Sequence, residues 1–246
     1  MTGEESAIQL LQRIREYFVA EGLPEEMLAA TCIDDRDAVV LAAIIAANRP
    51  RRILEVGTFV GMSTAFLALC AGGTHSNIVS VDPVFPVDVQ GERFGYLPGW
   101  SVDHGLRMVG RHFGFEARLH HVRGYYSCVP QPQFLANPVR HGVDPSKREI
   151  VGAHVGTHGP FDLIFIDGDH YGATVASDLA LAAQQLAFRG LIVMHDFEGG
   201  WAPEVCSGTE MFLAKTPGFD VRQEQALGVV ARRTAKESQA PRSPLP

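Results

Sequence analysis

Three observations point to an α/β fold: a doubly wound, mostly parallel seven-stranded sheet with helices on both faces and an N-terminal helical extension. The first is Ile53-Leu54-Glu55-Val56, a short apolar run that leads into Gly57, Gly61 and the helical stretch Ala65–Leu69. Strands covered on both faces read as continuous apolar runs. The second is the return of such runs at 78–82, 118–122, 161–166 and 191–194, with 219–224 and 227–232 as a closing pair. The third is the helical spacing between them, in Val102–Phe113 and Ala173–Phe188. Alternating strands and helices imply parallel strands joined by right-handed crossovers.

The elements can be justified in order. Ile8, Leu11, Ile14 and Phe18 recur at helical spacing over Glu4–Ala20, and Gly22 and Pro24 end that helix. A second helix is predicted over Asp35–Asn48, capped by Asp34 or Asp35, closed by Pro50, with Arg49, Arg51 and Arg52 complementing its dipole. Residues 1–50 form the helical extension, which either lines a substrate cavity or makes a homodimer contact; both stay open. Residues 51–233 form the main domain, with insertions at about 83–114 and 128–160, and 234–246 is predicted to be a disordered tail.

Gly57 permits a sharp turn after the first strand, and Gly61 lets backbone pass close to a ligand. Ser63 and Thr64 open a helix whose free N–H groups favour an anion. Ile78–Asp82 is a second strand, ending in an acid at the separation of a ribose-binding carboxylate. The connection 83–100 has the length of a lid or binding loop, and its Phe85, Phe94, Tyr96 and Trp100 either cover an organic substrate or form a satellite cluster under the loop; both stay open. The third strand ends at Gly124-Tyr125, and Gly190 is expected to cap the helix before the fifth.

A net charge of −7 argues against nucleic-acid and anionic-membrane partners and leaves a small-molecule substrate. The longest apolar run, Ala38–Ala47, is too short to span a bilayer, and the polar, acidic start is not a secretory signal. Cys32, Cys70, Cys128 and Cys206 are scattered and read as reduced thiols of a cytoplasmic protein.

Ligands of open α/β sheets sit at the carboxyl ends of the strands. Glu55, Asp82, Gly124, Asp167 and Asp196 all fall at such ends. Asp167, Asp169, His170, His195 and Asp196 bring up to three carboxylates and two imidazoles together. Carboxylates so close repel, and a divalent cation or a histidinium neutralises them. Oxygen ligands favour Mg²⁺ or Mn²⁺, and a histidine ligand moves the choice toward Mn²⁺ or Fe²⁺. Without metal, a histidine serves as general base and the carboxylates orient it. Both chemistries stay open. His141, His154 and His158 read as solvated loop residues, with metal ligation as the alternative.

Glu55-Val56-Gly57-Thr58-Phe59-Val60-Gly61-Met62-Ser63-Thr64 resembles the first motif of class I S-adenosylmethionine (SAM)-dependent methyltransferases, in the subgroup reading E-[IV]-G-T-x-x-G-x-S-T. Asp167-Gly168-Asp169-His170-Tyr171 and His195-Asp196-Phe197 are similar to the same subgroup, whose relatives include metal-dependent O-methyltransferases. Many of those end the later strand in two acids, where this chain has His195 first. The resemblance covers about 36–232 and implies a Rossmann-like fold and methyl transfer from SAM to a hydroxyl of a small metabolite or natural product.

It also implies roles. The methionine part of SAM falls near Glu55, Gly57 and Asp167, on a loop that includes Thr58, Gly61, Ser63 and Thr64. The ribose falls on Asp82, and the adenine by Gly124 and Tyr125. His170 is the first candidate base and His195 the second, with Asp167 beside them; Asp167 and Asp196, then Asp169, are the candidate metal ligands. A SAM-binding protein with other chemistry or a regulatory role is the alternative. A nicotinamide oxidoreductase is disfavoured, because Phe59 and Met62 stand where a G-x-G-x-x-G fingerprint needs glycine.

Overall fold

Side chains alternate across the strands and so feed two separate cores. A computed structural model describes residues 3–72, 76–83, 101–128, 149–198 and 202–233. In β1 (Arg52–Val56), Ile53 joins one core while Leu54 and Val56 join the other. In β4 (Phe161–Ile166), Leu163 and Phe165 face the first core, and Ile164 and Ile166 the second. The period of two along a strand dictates this division. Helices α1 (Gly3–Ala20), α2 (Glu25–Thr31), α3 (Asp35–Asn48), α4 (Met62–Cys70) and α5 (Val102–His112) contribute to the first core. Helices α6 (Gly152–Gly156), α7 (Gly172–Gln185) and α8 (Pro203–Lys215) contribute to the second. Among the described residues, no helix is long and apolar enough to cross a membrane.

With β2 (Asn77–Asp82), β3 (Leu119–Arg123), β5 (Leu186–Met194), β6 (Phe219–Glu224) and β7 (Leu227–Arg232), the sheet has the order β3-β2-β1-β4-β5-β7-β6. All pairings are parallel except those of β7 with β5 and with β6. Among the described residues the predicted α/β class, the mostly parallel seven-stranded sheet and the closing pair of strands are therefore present.

The ladder continues one residue beyond the parallel strands. Gly57 N donates to Val81 O (2.9 Å), Asp167 N to Val56 O (2.8 Å), His195 N to Ile166 O (3.0 Å) and Gly124 N to Asp82 O (3.0 Å). Four loops thus leave the sheet side by side. Gly57 has φ of +89°, and a Cβ there would lie 2.1 Å from the Asp167 carbonyl oxygen. Only glycine lets the two loops touch.

Four expectations need correction or addition. Three helices, not two, precede β1, because Pro24 begins α2 rather than only ending α1. Gly190 lies inside β5 and caps no helix. The strand starts at Leu186, and its register against β4 shifts between Phe161 and Leu163. A Cβ at Gly190 would meet Leu186 Cδ1 at 2.7 Å and Phe161 O at 2.8 Å, so this irregular turn of the strand requires glycine. Helix α8, which begins with Pro203 in its first turn, adds an element to those expected from the sequence. Phe85, Phe94, Tyr96, Trp100, His141 and the tail 234–246 lie outside the described residues.

Two consequences can be measured. Gly57→Ala should lower stability by about 2–4 kcal/mol in urea unfolding, since the methyl group meets backbone that cannot turn aside. Asp178, buried on α7 and hydrogen-bonded by the Ser127 hydroxyl, has a pKa pushed by burial from 3.8 up to about 7. The folded state then holds a proton the unfolded chain releases, so stability falls as pH rises across that window. Asp178→Asn keeps an acceptor for Ser127. Relative to the parent, its stability should rise from pH about 4 to about 7 and level off above.

Candidate active site

The glycine turn after β1 is held by two acids, each recruited by sequence position. Asp82, at the end of β2, accepts hydrogen bonds through Oδ2 from the backbone N–H groups of Thr58 (3.0 Å) and Phe59 (3.1 Å). Phe59 takes a left-handed φ of +50°, a strained choice for an aromatic residue at a ligand-type turn. Glu55 is fully buried and accepts from the hydroxyls of Ser63 (2.8 Å) and Thr64. Burial pushes its pKa up to about 7, with the two hydroxyls opposing and the charge of Asp167 adding to the rise. Glu55 thereby ties β1 to the first turn of α4. The Thr58 and Ser80 hydroxyls also share a hydrogen bond beneath the turn.

At the neighbouring strand ends the acidic and imidazole groups converge. His195 Nε2 lies 3.1 Å from Asp37 Oδ2, and its Nδ1 lies 3.1 Å from Asp167 Oδ1 and 3.0 Å from Asp196 Oδ2. The Nδ1 contacts are not aligned as hydrogen bonds, so their attraction is mainly ionic. Burial opposes a charge on His195, yet the charge of Asp167 and the contacts with Asp167, Asp196 and Asp37 outweigh it and raise the pKa far above the usual imidazole range. Both ring nitrogens face carboxylates, as a histidinium requires.

His170 Nε2 lies 2.8 Å from the same Asp196 Oδ2, and its side chain keeps about a third of its surface exposed. Its pKa is also raised: burial works against the charge, and the Asp196 bond with the charges of Asp167 and Asp196 prevails over repulsion from His195. Asp196 itself has a left-handed φ of +55°. That turn aims one carboxylate at two imidazoles.

Asp167, His170 and Asp196 each offer a ligand atom within 4.8 Å of the others, so two oxygens and one nitrogen fit a first-row divalent ion in number and type. Asp169 is outside that group and instead accepts from Tyr171 N at 3.4 Å. A small cleft beside these residues is lined by Asp167, Asp169, His170, His195, Val175 and Val205. A larger open cleft of about 480 Å³, between α1 and α5, is lined by Tyr17, His104, Arg107 and Arg111, and includes no strand end. Gly124, with φ of +147°, and buried Tyr125 follow β3, and Tyr125 bridges to Ile150.

Asp37 is not among the site residues to which the sequence points. Its position in the first turn of α3 explains it as part of a capping box with Asp34, and that box is formed. Its second contact, across 158 residues to His195, has no local signal.

The profile of a methyltransferase domain matches residues 54–197. The chain belongs to the methyltransferase-domain family. The matched stretch runs from β1 through Phe197 and includes every strand-end residue above; Asp37 lies before it. No curated protein sequence matches. Among solved structures, cofactor-bound Rv0187 from MTB is 19% identical, over 93% of this chain and 90% of that one, with a TM-score of 0.55. An O-methyltransferase from Bacillus cereus in complex with SAH is 15% identical over 92% and 91%, with a TM-score of 0.55. The SAH-bound methyltransferase PaMTH1 of Podospora anserina is 17% identical over 92% and 88%, with a TM-score of 0.60. At such identities the likeness is one of fold.

The His195 ion cluster predicts its own test. His195→Gln leaves three acids without their cation and should cost about 3–5 kcal/mol of stability. A group whose folded pKa is raised stabilises fully below its ordinary value of 6.5 and progressively less above it. The deficit of the variant in urea unfolding should therefore be greatest near pH about 6 and shrink toward pH about 9.

Proposed function

We propose that this methyltransferase-family chain transfers a methyl group from SAM to a hydroxyl of a small organic molecule. The observation that carries the proposal is the His170–Asp196 pair, 2.8 Å apart, on the same rim as the glycine turn that touches Asp167. A solved structure of like fold, from Bacillus cereus, is an O-methyltransferase with SAH bound. The loop from Gly57 to Thr64 and Asp82 would hold the cofactor's methionine and ribose parts, with Gly124 and Tyr125 beside the adenine.

Bound SAM supplies an electrophilic methyl on a sulfonium and departs as a neutral thioether. The protein's task is alignment and proton removal, and orientation alone is worth about 7–11 kcal/mol in favourable cases. His170 is the base: it takes the acceptor's proton, and Asp196 orients the ring and stabilises the resulting imidazolium. His195, holding its proton between three acids, is unsuited to that task and keeps Asp167 and Asp196 in place. A second reading has Asp167, His170 and Asp196 ligating a divalent cation that lowers the acceptor's pKa, and their 4.8 Å grouping favours it.

Methyl transfer from labelled SAM to phenol and sugar panels tests the proposal. His170→Ala should lower kcat by about 10²–10⁴-fold while SAM affinity is kept. For the parent, kcat/KM should increase with pH along a limb above 6.5, because the base must first lose a proton. Activity abolished by chelator and restored by Mn²⁺ would select the metal reading. Stabilisation by NAD with no response to SAM would reject both.

A further inference from the structure

We propose that His120, His154 and His158 form a binding site for a divalent transition-metal ion, zinc first, separate from the acids at the strand ends. His154 lies in α6, and the helical turn continues through Thr157, whose N–H donates to His154 O, to His158, whose N–H donates to Val155 O, both at 3.0 Å. A separation of four residues on a continuing turn places both rings on one side, the spacing of many histidine ligand pairs. His120 comes from β3, and its ring centroid lies 4.5 Å from that of His158, which lies 5.5 Å from that of His154.

One nitrogen from each ring falls within 4.8 Å of the other two. Nitrogens bound tetrahedrally at about 2.0–2.1 Å are about 3.3 Å apart, so closure needs a movement of roughly 1.5 Å. His120 and His154 are at the surface, where their rings can turn without repacking. His158 is half-buried, and its Nε2 is shielded from solvent with no hydrogen-bond partner. Buried polar atoms are nearly always partnered, and a bound ion is one standard account of an orphan. Three imidazoles without a carboxylate select zinc, copper or nickel over magnesium or calcium.

The site is distinct from the strand-end cluster. His158 precedes β4 and Asp167 follows it, and a strand of six residues spans about 20 Å. A bound ion would clip edge strand β3 to the segment entering β4, which is three places along the sheet.

The experiment uses the full chain without a polyhistidine tag, stripped of metal, and titrated with zinc by calorimetry and with cobalt by visible absorption. The expected result is one equivalent bound by the D167N/D196N variant, and one equivalent fewer bound by H154A/H158A than by the parent, whether or not the strand-end acids take an ion of their own. Excess zinc should raise the melting temperature of D167N/D196N by about 4–8 °C, and that rise should vanish when H154A/H158A is added to it. Equal uptake by H154A/H158A and the parent would overturn the proposal. So would loss of uptake in D167N/D196N, or no uptake at micromolar metal. Should H154A/H158A fail to fold, H120A alone, at an exposed strand position, must weaken zinc binding at least about tenfold; unchanged affinity overturns the site.

Discussion

The imidazole of His195 is the counter-ion that allows three carboxylates to share one nearly buried corner. Asp37, Asp167 and Asp196 come from α3, from the end of β4 and from the end of β5, and each approaches within 3.1 Å of the ring. Without a cation, acids this close would protonate or separate. With it, they are drawn together, and the N-terminal helices are joined electrostatically to the carboxyl edge of the sheet. The apolar contacts agree: residues of α1, α2 and α3 share a core with Ile53, Phe66 and Phe165. The helices before β1 thus belong to the packing of the site and not only to its periphery.

Position along the sheet explains why the site falls where it does. Parallel pairing aligns Val56 with Val81 and with Ile166, and Ile166 with Met194. Each strand therefore hands its next residue to the same rim. Side-chain chemistry then divides the labour: Glu55 and Asp82 shape the glycine turn, while Asp196 distributes one carboxylate between two histidines.

Much of this was legible from the chain alone, because apolar runs and their terminal residues are local signals. Ile53–Val56, Ile78–Asp82 and Phe161–Ile166 announced strands, and the acids after them announced the rim. What escaped notice depended on distant partners. Asp37 looks like any capping acid until His195 meets it. Leu186–Gly190 looks like the end of a helix, and becomes strand only because Phe161 pairs with Leu186. Pro203–Lys215 follows a glycine-rich stretch and mixes Gly208 and Thr209 into its buried face, which blurs the helical period. His154 and His158 read as loop polarity because His120 is over thirty residues away in sequence.

The contact between Gly57 and the Asp167 carbonyl involves main chain on one side and an absent side chain on the other. Ordinary substitution at the rim changes what the residues present, yet it leaves that abutment untouched. A lineage of such sequences could swap acceptors many times over while the gap between the glycine bend and the acidic corner stayed constant, as a jig holds two tools at one spacing.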